Sequence, residues 1–279
     1  MPLTLACRSI ILDLGVPVVM GVLNVTPDSF SDGGRYASVD SAVERGLRMA
    51  DEGAAIIDVG GESTRPGAGQ VTAAEEIERV VPVIERLAAR SAVPISVDTS
   101  KPAVMRAAIA AGARIINDVR ALRVPGALEE AASSGAAVCL MHMQGDPGTM
   151  QASPRYDDVV SEVGAFLLER VAACRAAGID ASRICIDPGI GFGKRPEHNL
   201  ALLARLRELA DLQFPVLVGV SRKSLIGIIT GREIGDRLAG SVALAAVCAE
   251  RGASIIRAHD VAETLDALGV VTALMRPGS

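Results

Sequence analysis

The feature that most constrains the fold is a series of eight short apolar runs that recur along the chain. They are rich in Val and Ile and read "VVMGVLN", "AAIIDVG", "PISVDT", "RIINDV", "AVCLMH", "RICIDP", "PVLVGV" and "SIIRAH". Each run is nearly continuous in apolarity, which is typical of strands buried on both faces of a parallel sheet. Ala-rich stretches with helical periodicity lie between them, so the chain is predicted to alternate strands and helices.

Eight such units in 279 residues favour an α/β fold of the (β/α)8 TIM-barrel type, which typically needs about 250 residues. The alternative is an open doubly wound sheet. No G-x-G-x-x-G follows the first run, and polar motifs close all eight runs instead of clustering at one switch point. The segment "LTLACRSIILDL" before the first run is predicted to form a short hairpin that closes the barrel bottom. With no linker or repeat, residues 1–279 are expected to form a single domain.

Local signals also predict several helix ends. Thr72 and Glu75 form a T-x-x-E capping box. Ser100 is placed to cap a helix that begins near Lys101. Glycines are expected just after the ends of four helices, at Gly53, Gly112, Gly178 and Gly252.

Composition excludes several classes of partner. A net charge of −5 and an aromatic content of 2% without Trp argue against nucleic-acid binding. No apolar stretch reaches the roughly 18 residues of a membrane span, and no signal peptide is apparent. The five cysteines form no C-x-x-C pair, which indicates reduced buried thiols. A cytoplasmic protein is therefore expected.

Polar side chains close nearly every predicted strand. In a TIM barrel the active site lies at the carboxyl ends of the strands. Read in order, these ends carry Asn24, Asp58, Asp98, Asn117 with Asp118, His142, Asp187, Ser221 with Arg222 and Lys223, and Arg257 with His259. Such groups would meet at one mouth, which indicates a ligand site.

Some of these residues have a plausible structural role instead. An Asp ahead of a helix is commonly a cap, and that role stays open for Asp58 and Asp118. It is less suitable for Asp98, because Ser100 is better placed, and for Asp187, because "DPGIGFGK" delays the next helix to about Pro196.

The histidines and phenylalanines near these ends also allow two roles. His142 by itself suits a structural histidine, whereas His259 lies two residues after Arg257 and suits a functional one. Phe30 and Phe192 lie in loops, where their rings could cover a flat ligand or anchor the loop.

The residue types suggest the chemistry of a ligand. Asp98, Asn117 and Asp187 suit the amino and ring N–H donors of an aminopyrimidine-type heterocycle, and Lys223 can donate to its carbonyl oxygen or ring nitrogen.

A second set suits an oxyanion such as diphosphate. It contains Arg257, His259 and Asn24, with Arg65 as a further candidate. One Mg²⁺ could be held there by Asn24, phosphate oxygens and water.

The motifs "MGVLNVTPDSFSDGG", "IIDVGGESTRPGA", "ISVDTSKP", "IINDV", "CLMHMQG", "DPGIGFGK", "VGVSRKSLIG" and "IIRAHDV" together resemble those of the bacterial dihydropteroate synthase family. The resemblance runs over the whole chain in order. It implies a TIM-barrel homodimer that joins 4-aminobenzoate to 6-hydroxymethyl-7,8-dihydropterin diphosphate with Mg²⁺ and releases diphosphate. It also implies inhibition by sulfonamides that compete with 4-aminobenzoate.

The resemblance implies roles for individual residues. The pterin pocket would be formed by Asp98, Asn117, Met141, Asp187, Phe192 and Lys223. The diphosphate would be bound by Asn24, Arg257 and His259, with Asn24 also the Mg²⁺ ligand. The aminobenzoate pocket and lid loops would be formed by Phe30, Asp32, Thr64, Arg65, Pro66 and Ser224. The residues expected to act in catalysis are Asn24, Asp98, Asp187, Lys223, Arg257 and His259.

The first of these loops, "NVTPDSFSDGG", is interpreted as a lid. Asp32 would pair across to Arg65, and Gly33 with Gly34 would let the loop move. Departures from the family pattern are small: Val124 stands where an acidic or polar residue is more usual, and "TGREIGDRLAGS" is a variable connection.

An SN1-like displacement is expected, because an arylamine is already nucleophilic and departure of diphosphate is the harder step.

Two alternative functions remain. A methyltetrahydrofolate-dependent methyltransferase domain could share the pterin pocket but would not use the diphosphate motifs. A non-catalytic pterin-binding paralogue would be expected to lose the first two loop motifs, which are intact here.

Overall fold

A computed structural model describes residues 3–25, 34–63, 69, 71–146 and 148–275 of the chain. Within these residues one parallel sheet of eight strands forms the centre of the fold. Its strands are β3 (Val18–Asn24), β4 (Ile56–Gly60), β5 (Ile95–Asp98), β6 (Ile115–Asp118), β7 (Ala137–Met141), β8 (Ile184–Asp187), β9 (Leu217–Gly219) and β10 (Ile255–Ala258).

Helices follow the strands and pack outside the sheet. They are α1 (Gly34–Asp51), α2 (Ala73–Arg90), α3 (Pro102–Ala110), α4 (Ala127–Ser134), α5 (Val159–Ala176), α6 (Pro196–Ala204), α7 (Leu206–Ala210), α8 (Ser224–Thr230), α9 (Leu238–Glu250) and α10 (Val261–Met275). No helix in the described ranges is long and apolar enough to cross a membrane.

The sheet curls into a barrel. The strands are ordered β8-β7-β6-β5-β4-β3-β10-β9, so each strand pairs with its sequence neighbour and β10 returns beside β3. A parallel bridge between Ile186 and Val216 joins β8 to the residue before β9, and the Ile186 N–H donates to Pro215 O at 2.9 Å. This closure confirms the predicted TIM barrel and contradicts the open-sheet alternative.

The predicted hairpin is present at the amino-terminal ends of the barrel strands. Strands β1 (Thr4–Cys7) and β2 (Ile10–Asp13) pair antiparallel. The buried hairpin residues Leu5 and Cys7 belong to one cluster with interior residues of the lower barrel. These interior residues are Met20, Ile56, Ile115, Ala137, Cys139, Cys185, Leu217 and Ile255. The hairpin therefore closes the barrel bottom with apolar side chains.

Most of the predicted helix ends are confirmed. Thr72 and Glu75 form the capping box at the start of α2. The four glycines expected after helices all have positive φ, which an L side chain rarely adopts. The prediction for Ser100 is wrong, because its hydroxyl donates to the Asp118 carboxylate and α3 begins without a side-chain cap.

All five cysteines lie in the described part of the chain. Each is buried and none forms a disulfide, which agrees with the predicted reduced thiols.

Candidate active site

The barrel interior changes from apolar to polar along several strands. Side chains two residues apart face the same side of a strand. Ile56 is followed by Asp58, Ile115 by Asn117, and Cys185 by Asp187. The lower residues belong to the apolar cluster beneath, whereas the upper three are polar and buried. The polar layer at the carboxyl ends of the strands therefore rests on an apolar floor.

Arg257 on β10 is the centre of this polar layer. Its Nε donates to Asp58 Oδ2 at 2.6 Å, and its Nη2 donates to Asp98 Oδ2 at 2.8 Å. Asn117 Nδ2 also donates to Asp58 Oδ2, at 3.1 Å. Asp58 is completely buried, and its Oδ1 has no hydrogen-bond partner among the described residues. Four strands, β4, β5, β6 and β10, are thus linked by one network of charged and amide groups.

The electrostatics of this network affect Asp98 most. Burial raises the pKa of Asp98 to about 7, the nearby Arg257 lowers it, and the Asp58 carboxylate raises it further. Burial lowers the pKa of Arg257, but the two carboxylates outweigh this and raise it, so the guanidinium stays charged. One cation thus faces two carboxylates, and Asp98 can take up or release a proton near neutral pH.

A second polar group follows β8 and β9. Asp187 Oδ1 accepts the Gly189 N–H at 2.7 Å, which fixes the carboxylate against its own loop. Lys223 donates to the carbonyl oxygen of Ile190, and its Nζ lies 4.7 Å from the centre of the Phe192 ring. Asp187, Phe192 and Lys223, all predicted at the pterin pocket, are therefore near neighbours.

The pKa values of this group also shift. Burial raises the pKa of Asp187, against the effects of Lys223 and the Gly189 N–H. Burial lowers the pKa of Lys223 to about 8, while the Asp187 carboxylate acts in the opposite direction. Both groups are desolvated at a barrel mouth, an arrangement that is common where a protein binds a polar ligand.

Asn24 ends β3 beside Gly60, the last residue of β4. A Cβ added to Gly60 would lie 3.6 Å from Asn24 Oδ1 and 3.8 Å from Asp98 Oδ2. Glycine therefore leaves a small space bounded by an amide oxygen and a carboxylate oxygen. Hard oxygen ligands of this kind suit Mg²⁺, which keeps most of its own waters, so the residues present fit the predicted cation.

His259 follows β10 on the same rim. The ring Nδ1 of His259 lies 3.0 Å from Ser221 Oγ, and the backbone N–H of His259 donates to the same oxygen at 3.2 Å. Arg45 Nη2 donates to the His259 carbonyl oxygen at 3.0 Å. These contacts fix the histidine at the end of β10. Arg222 instead turns outward and forms a two-pronged ion pair with Asp260.

Met141 and Ser224 occupy different surroundings. Met141 is buried in a small cluster with Val119, Met143 and Met150, and Phe192 packs against this cluster. Ser224 is the exposed first residue of α8, directly after Lys223. Met141 thus adjoins the predicted pterin residues, and Ser224 lies at the outer edge of the mouth.

Several predicted residues lie outside the described part of the chain. These are Phe30, Asp32, Thr64, Arg65 and Pro66, together with Gly33. Gly34 is described and begins α1.

The second loop is the connection between β4 and α2, residues 61–72, and the described residues at its base are firmly held. Glu62 Oε1 accepts the Val71 N–H at 3.1 Å, so the two stems are joined. Lys101 Nζ donates to Glu62 Oε2 at 2.6 Å and to Glu76 Oε2 at 2.5 Å. Glu76 is completely buried, so this ion-pair network anchors Glu62, at the base of the loop, to α2 and to the start of α3.

The two residues left open as caps differ. Asp118 accepts the N–H groups of Arg120 and Leu122, each at 2.8 Å, so it holds its own loop. Asp58 is instead part of the Arg257 network, which sequence reasoning missed. The relevant signal is its inward position, two residues above Ile56 in an apolar strand.

Lys194 is another residue that sequence reasoning did not select. It is buried, and its Nζ lies 2.9 Å from Nδ1 of His142. The His142 ring packs edge-on against Phe166 at 4.9 Å between ring centres. The structural interpretation of His142 therefore fits these contacts.

Comparison with known protein families gives a match over most of the chain. A family model described as "Pterin binding enzyme" matches residues 20–259. The chain is 55% identical over 264 residues to the dihydropteroate synthase of Escherichia coli strain K12, covering 95% of this chain and 94% of that protein. It is 51% identical over 259 residues to the dihydropteroate synthase of Haemophilus influenzae, covering 93% and 94%.

Solved structures give the same result. The dihydropteroate synthase of Xanthomonas albilineans with 4-aminobenzoic acid has a TM-score of 0.93 and 56% identity, covering 99% of both chains. The Yersinia pestis dihydropteroate synthase in a sulfonamide drug complex has a TM-score of 0.93 and 52% identity, covering 98% and 99%. A complex of the Xanthomonas albilineans enzyme with 7,8-dihydropteroate has a TM-score of 0.87 and 51% identity, covering 98% of both.

Proposed function

The chain belongs to the family of pterin binding enzymes, among them the dihydropteroate synthases, and we propose that it condenses 4-aminobenzoate with 6-hydroxymethyl-7,8-dihydropterin diphosphate. The products are 7,8-dihydropteroate, a folate precursor, and diphosphate. The observation that carries the proposal is the polar layer at the barrel mouth, in which Arg257 bonds Asp98 and is linked to Asn117 through Asp58, next to Asp187 and Lys223. Relatives of this chain were solved with 4-aminobenzoic acid and with 7,8-dihydropteroate.

The pterin would bind over this layer. Its amino and ring N–H groups need acceptors, which the Asp98 and Asp187 carboxylates and the Asn117 amide supply. Lys223 would donate to the pterin carbonyl oxygen or a ring nitrogen. The Phe192 ring next to Lys223 Nζ supports this placement, since an aromatic face can cover a flat heterocycle.

The diphosphate would lie toward the rim, near Asn24, Arg257 and His259. Cationic and N–H donors stabilise the charge that develops on a departing diphosphate. Mg²⁺ bound at Asn24 would neutralise further charge on the phosphate oxygens.

The reaction is proposed to be dissociative. The bond from the exocyclic methylene carbon to the diphosphate oxygen breaks first, and its electron pair leaves with diphosphate. The carboxylates of Asp98 and Asp187 favour the positive charge left on the pterin methylene. The 4-aminobenzoate nitrogen then attacks that carbon and loses a proton. A secondary deuterium isotope effect above unity at the methylene is expected, and a value near unity would exclude the dissociative step.

The 4-aminobenzoate would enter at the outer edge, next to Ser224 and the first two loops. Sulfonamides also present an aniline group, and a relative was solved in a sulfonamide drug complex. We therefore expect sulfonamides to compete with 4-aminobenzoate. If sulfonamides competed with the pterin diphosphate instead, they would bind in the pterin pocket, and this placement of the 4-aminobenzoate pocket would be contradicted.

Diphosphate release tests the function directly. Purified protein with pterin diphosphate and Mg²⁺ should release diphosphate only when 4-aminobenzoate is added. Pterin binding without release would favour a non-catalytic pterin-binding protein. Methyl transfer from methyltetrahydrofolate would favour the methyltransferase alternative. Either result would contradict the proposed reaction.

We also propose that the protein is a cytoplasmic homodimer and that each chain unfolds as a single domain. Exposed apolar side chains are numerous on α8, α9, α10 and the connection between α8 and α9, and they suit burial against a second copy. They are Ile228, Ile229, Ile234, Leu238, Val247, Val270, Leu274 and Met275. Light scattering should give twice the monomer mass, and a monomer at every concentration would contradict the homodimer.

A further inference from the structure

The chain uses lysine at only three positions, although Lys and Arg together number 28. Each lysine follows a barrel strand at its carboxyl end: Lys101 after β5, Lys194 after β8 and Lys223 after β9. Lys223 belongs to the proposed pterin pocket and Lys101 holds the second loop. Lys194 has no place in the proposed chemistry, yet it is only 2% exposed.

Several hydrogen-bond acceptors surround the Nζ atom of Lys194. Its Nζ lies 2.9 Å from His142 Nδ1 and donates to the carbonyl oxygens of Gly189 at 2.9 Å and Phe192 at 3.0 Å. A longer contact of 3.4 Å reaches the His142 carbonyl oxygen. Burial lowers the pKa of His142 to about 3, so its ring is neutral and Nδ1 can accept. Burial lowers the pKa of Lys194 itself to about 7. In its protonated form the group has three donors in a compact arrangement, which suits these converging acceptors better than a planar guanidinium.

The loop that Lys194 holds is packed closely against the chain that follows β7. Gly189 and Gly193 have φ of +67° and +57°. A Cβ at Gly189 would collide with the His142 carbonyl oxygen, and one at Gly193 would collide with the Gln144 backbone. The loop therefore lies directly on the chain that follows β7. Lys194 donates hydrogen bonds to its carbonyl oxygens from the side that faces away from the proposed pterin pocket.

The opposite side of the same loop faces the proposed pterin pocket. The Gly189 N–H fixes Asp187, the Ile190 carbonyl oxygen accepts from Lys223, and Phe192 places its ring beside Lys223. Two of these three residues are bonded to Lys194 through their own carbonyl oxygens. A shift at the back of the loop would therefore be transmitted to the front.

We propose that Lys194 is a positioning residue for pterin recognition, which holds the loop of residues 188–193 so that Asp187, Phe192 and Lys223 are aligned for the heterocycle. This rests on the proposed function. Lys194 does not touch the ligand and acts through the loop carbonyl oxygens. Misplacement of recognition groups by about 1 Å can cost about a hundredfold in efficiency.

The loop has other anchors, which lets its position be tested apart from folding. The Gly191 N–H donates to Asn199 Oδ1 at 2.7 Å, and Gln151 Nε2 donates to the Gly191 carbonyl oxygen at 2.7 Å. Tyr156 donates to the Gly193 carbonyl oxygen at 2.8 Å. Loss of Lys194 should thus shift the loop without unfolding the barrel.

The test uses Lys194→Met, which keeps the length of the side chain without its donors, and Lys194→Gln, which keeps one amide donor group. The control is Arg195→Met, which removes a mostly exposed cation at the next position. The KM for pterin diphosphate should rise at least about tenfold in Lys194→Met and less in Lys194→Gln. The KM for 4-aminobenzoate should stay within about twofold, and Arg195→Met should match the parent.

Hydrogen exchange provides a second readout that needs no activity. Exchange at residues 189–193 should become faster in both Lys194 variants, while exchange in the barrel strands stays the same. Unchanged exchange and unchanged pterin KM would overturn the inference, as would equal losses for both substrates. If the parent protein binds no pterin diphosphate, the proposed function fails, and with it the recognition role of Lys194.

Discussion

Replacing Asp58 by Asn removes a buried negative charge and keeps the size of the side chain. Asp58 accepts one charged hydrogen bond from Arg257 and a neutral one from Asn117. Losing a hydrogen bond to a charged group costs about 1.5–3 kcal/mol of unfolding free energy. In a protein of this size each kcal/mol lowers the thermal midpoint by about 2–4 °C, so a decrease of about 3–12 °C is expected.

The same substitution should change the pH dependence of pterin binding. Asp98 has a pKa of about 7, and the charge of Asp58 contributes to raising it. Two unit charges about 5 Å apart, the reach of one guanidinium, repel by about 3 kcal/mol at an effective dielectric constant of 20. One pKa unit corresponds to about 1.4 kcal/mol. Without the Asp58 charge, Asp98 should ionise at a pH about two units lower.

The sign of the effect follows from the proposed role of Asp98 as a carboxylate acceptor. In the parent protein, affinity for the pterin should fall as the pH falls through about 7, because Asp98 takes up a proton. In Asp58→Asn this decrease should begin at lower pH. At pH near 6 the variant should therefore lose less of its own maximal affinity than the parent does.

Titration calorimetry with pterin diphosphate, from about pH 5 to about pH 9, measures this directly. Asp118→Asn is the comparison variant, because Asp118 is also a buried carboxylate but bonds loop N–H groups instead of Arg257 and raises the pKa of Asp98 less than Asp58 does. Titration of the ligand itself is common to all three proteins and cancels in the comparison. The reasoning is refuted if the acid limb of Asp58→Asn coincides with that of the parent, or if Asp118→Asn displaces it equally.

Three further substitutions test other parts of the structure. Gly189→Ala places a Cβ against the His142 carbonyl oxygen at φ +67°. The comparison is Gly178→Ala, which has the same kind of backbone strain at φ +90° but open space around the Cβ. Gly189→Ala should lose more than about 1 kcal/mol of unfolding free energy beyond the loss in Gly178→Ala, and equal thermal midpoints would contradict the clash. Lys101→Met should raise the KM for 4-aminobenzoate and leave that for the pterin diphosphate, since it frees the second loop; the opposite pattern in steady-state kinetics would count against this. Thr72→Ala removes the capping box of α2 and should lower the unfolding free energy by about 1 kcal/mol in a denaturant titration, whereas no loss would show that the cap contributes nothing.

The fold could be predicted because its signals are local. The strands were predictable from short segments rich in Val and Ile, and Thr72 with Glu75 makes its capping box within one turn. Ser100 was mispredicted because its hydroxyl has a choice between a nearby backbone N–H and the carboxylate of Asp118, which lies on the next strand. A local sequence pattern contains no information about a hydrogen-bond partner that becomes a neighbour only in the folded protein.

The candidate site also combines features that local sequence predicts with contacts that form only in the folded protein. Its residue types and their places at strand ends were readable from the sequence, and so were the groups suited to a heterocycle. Asp58 was left open as a cap because its partner Arg257 lies 199 residues away. Lys194 was missed because its acceptors are mostly backbone carbonyl oxygens, which leave no trace in side-chain chemistry.

The apolar floor beneath the polar layer has a consequence for how such a barrel can change over evolutionary time. Within one strand, Ile56 supports the packing on the hairpin while Asp58, two positions on, belongs to the ligand layer. Substitutions in the lower layer change stability, whereas those in the upper layer change affinity and, at Asp58, stability as well. The lower layer can thus vary without altering the groups that face a ligand, and it limits how deep any ligand, natural or inhibitory, can enter the barrel.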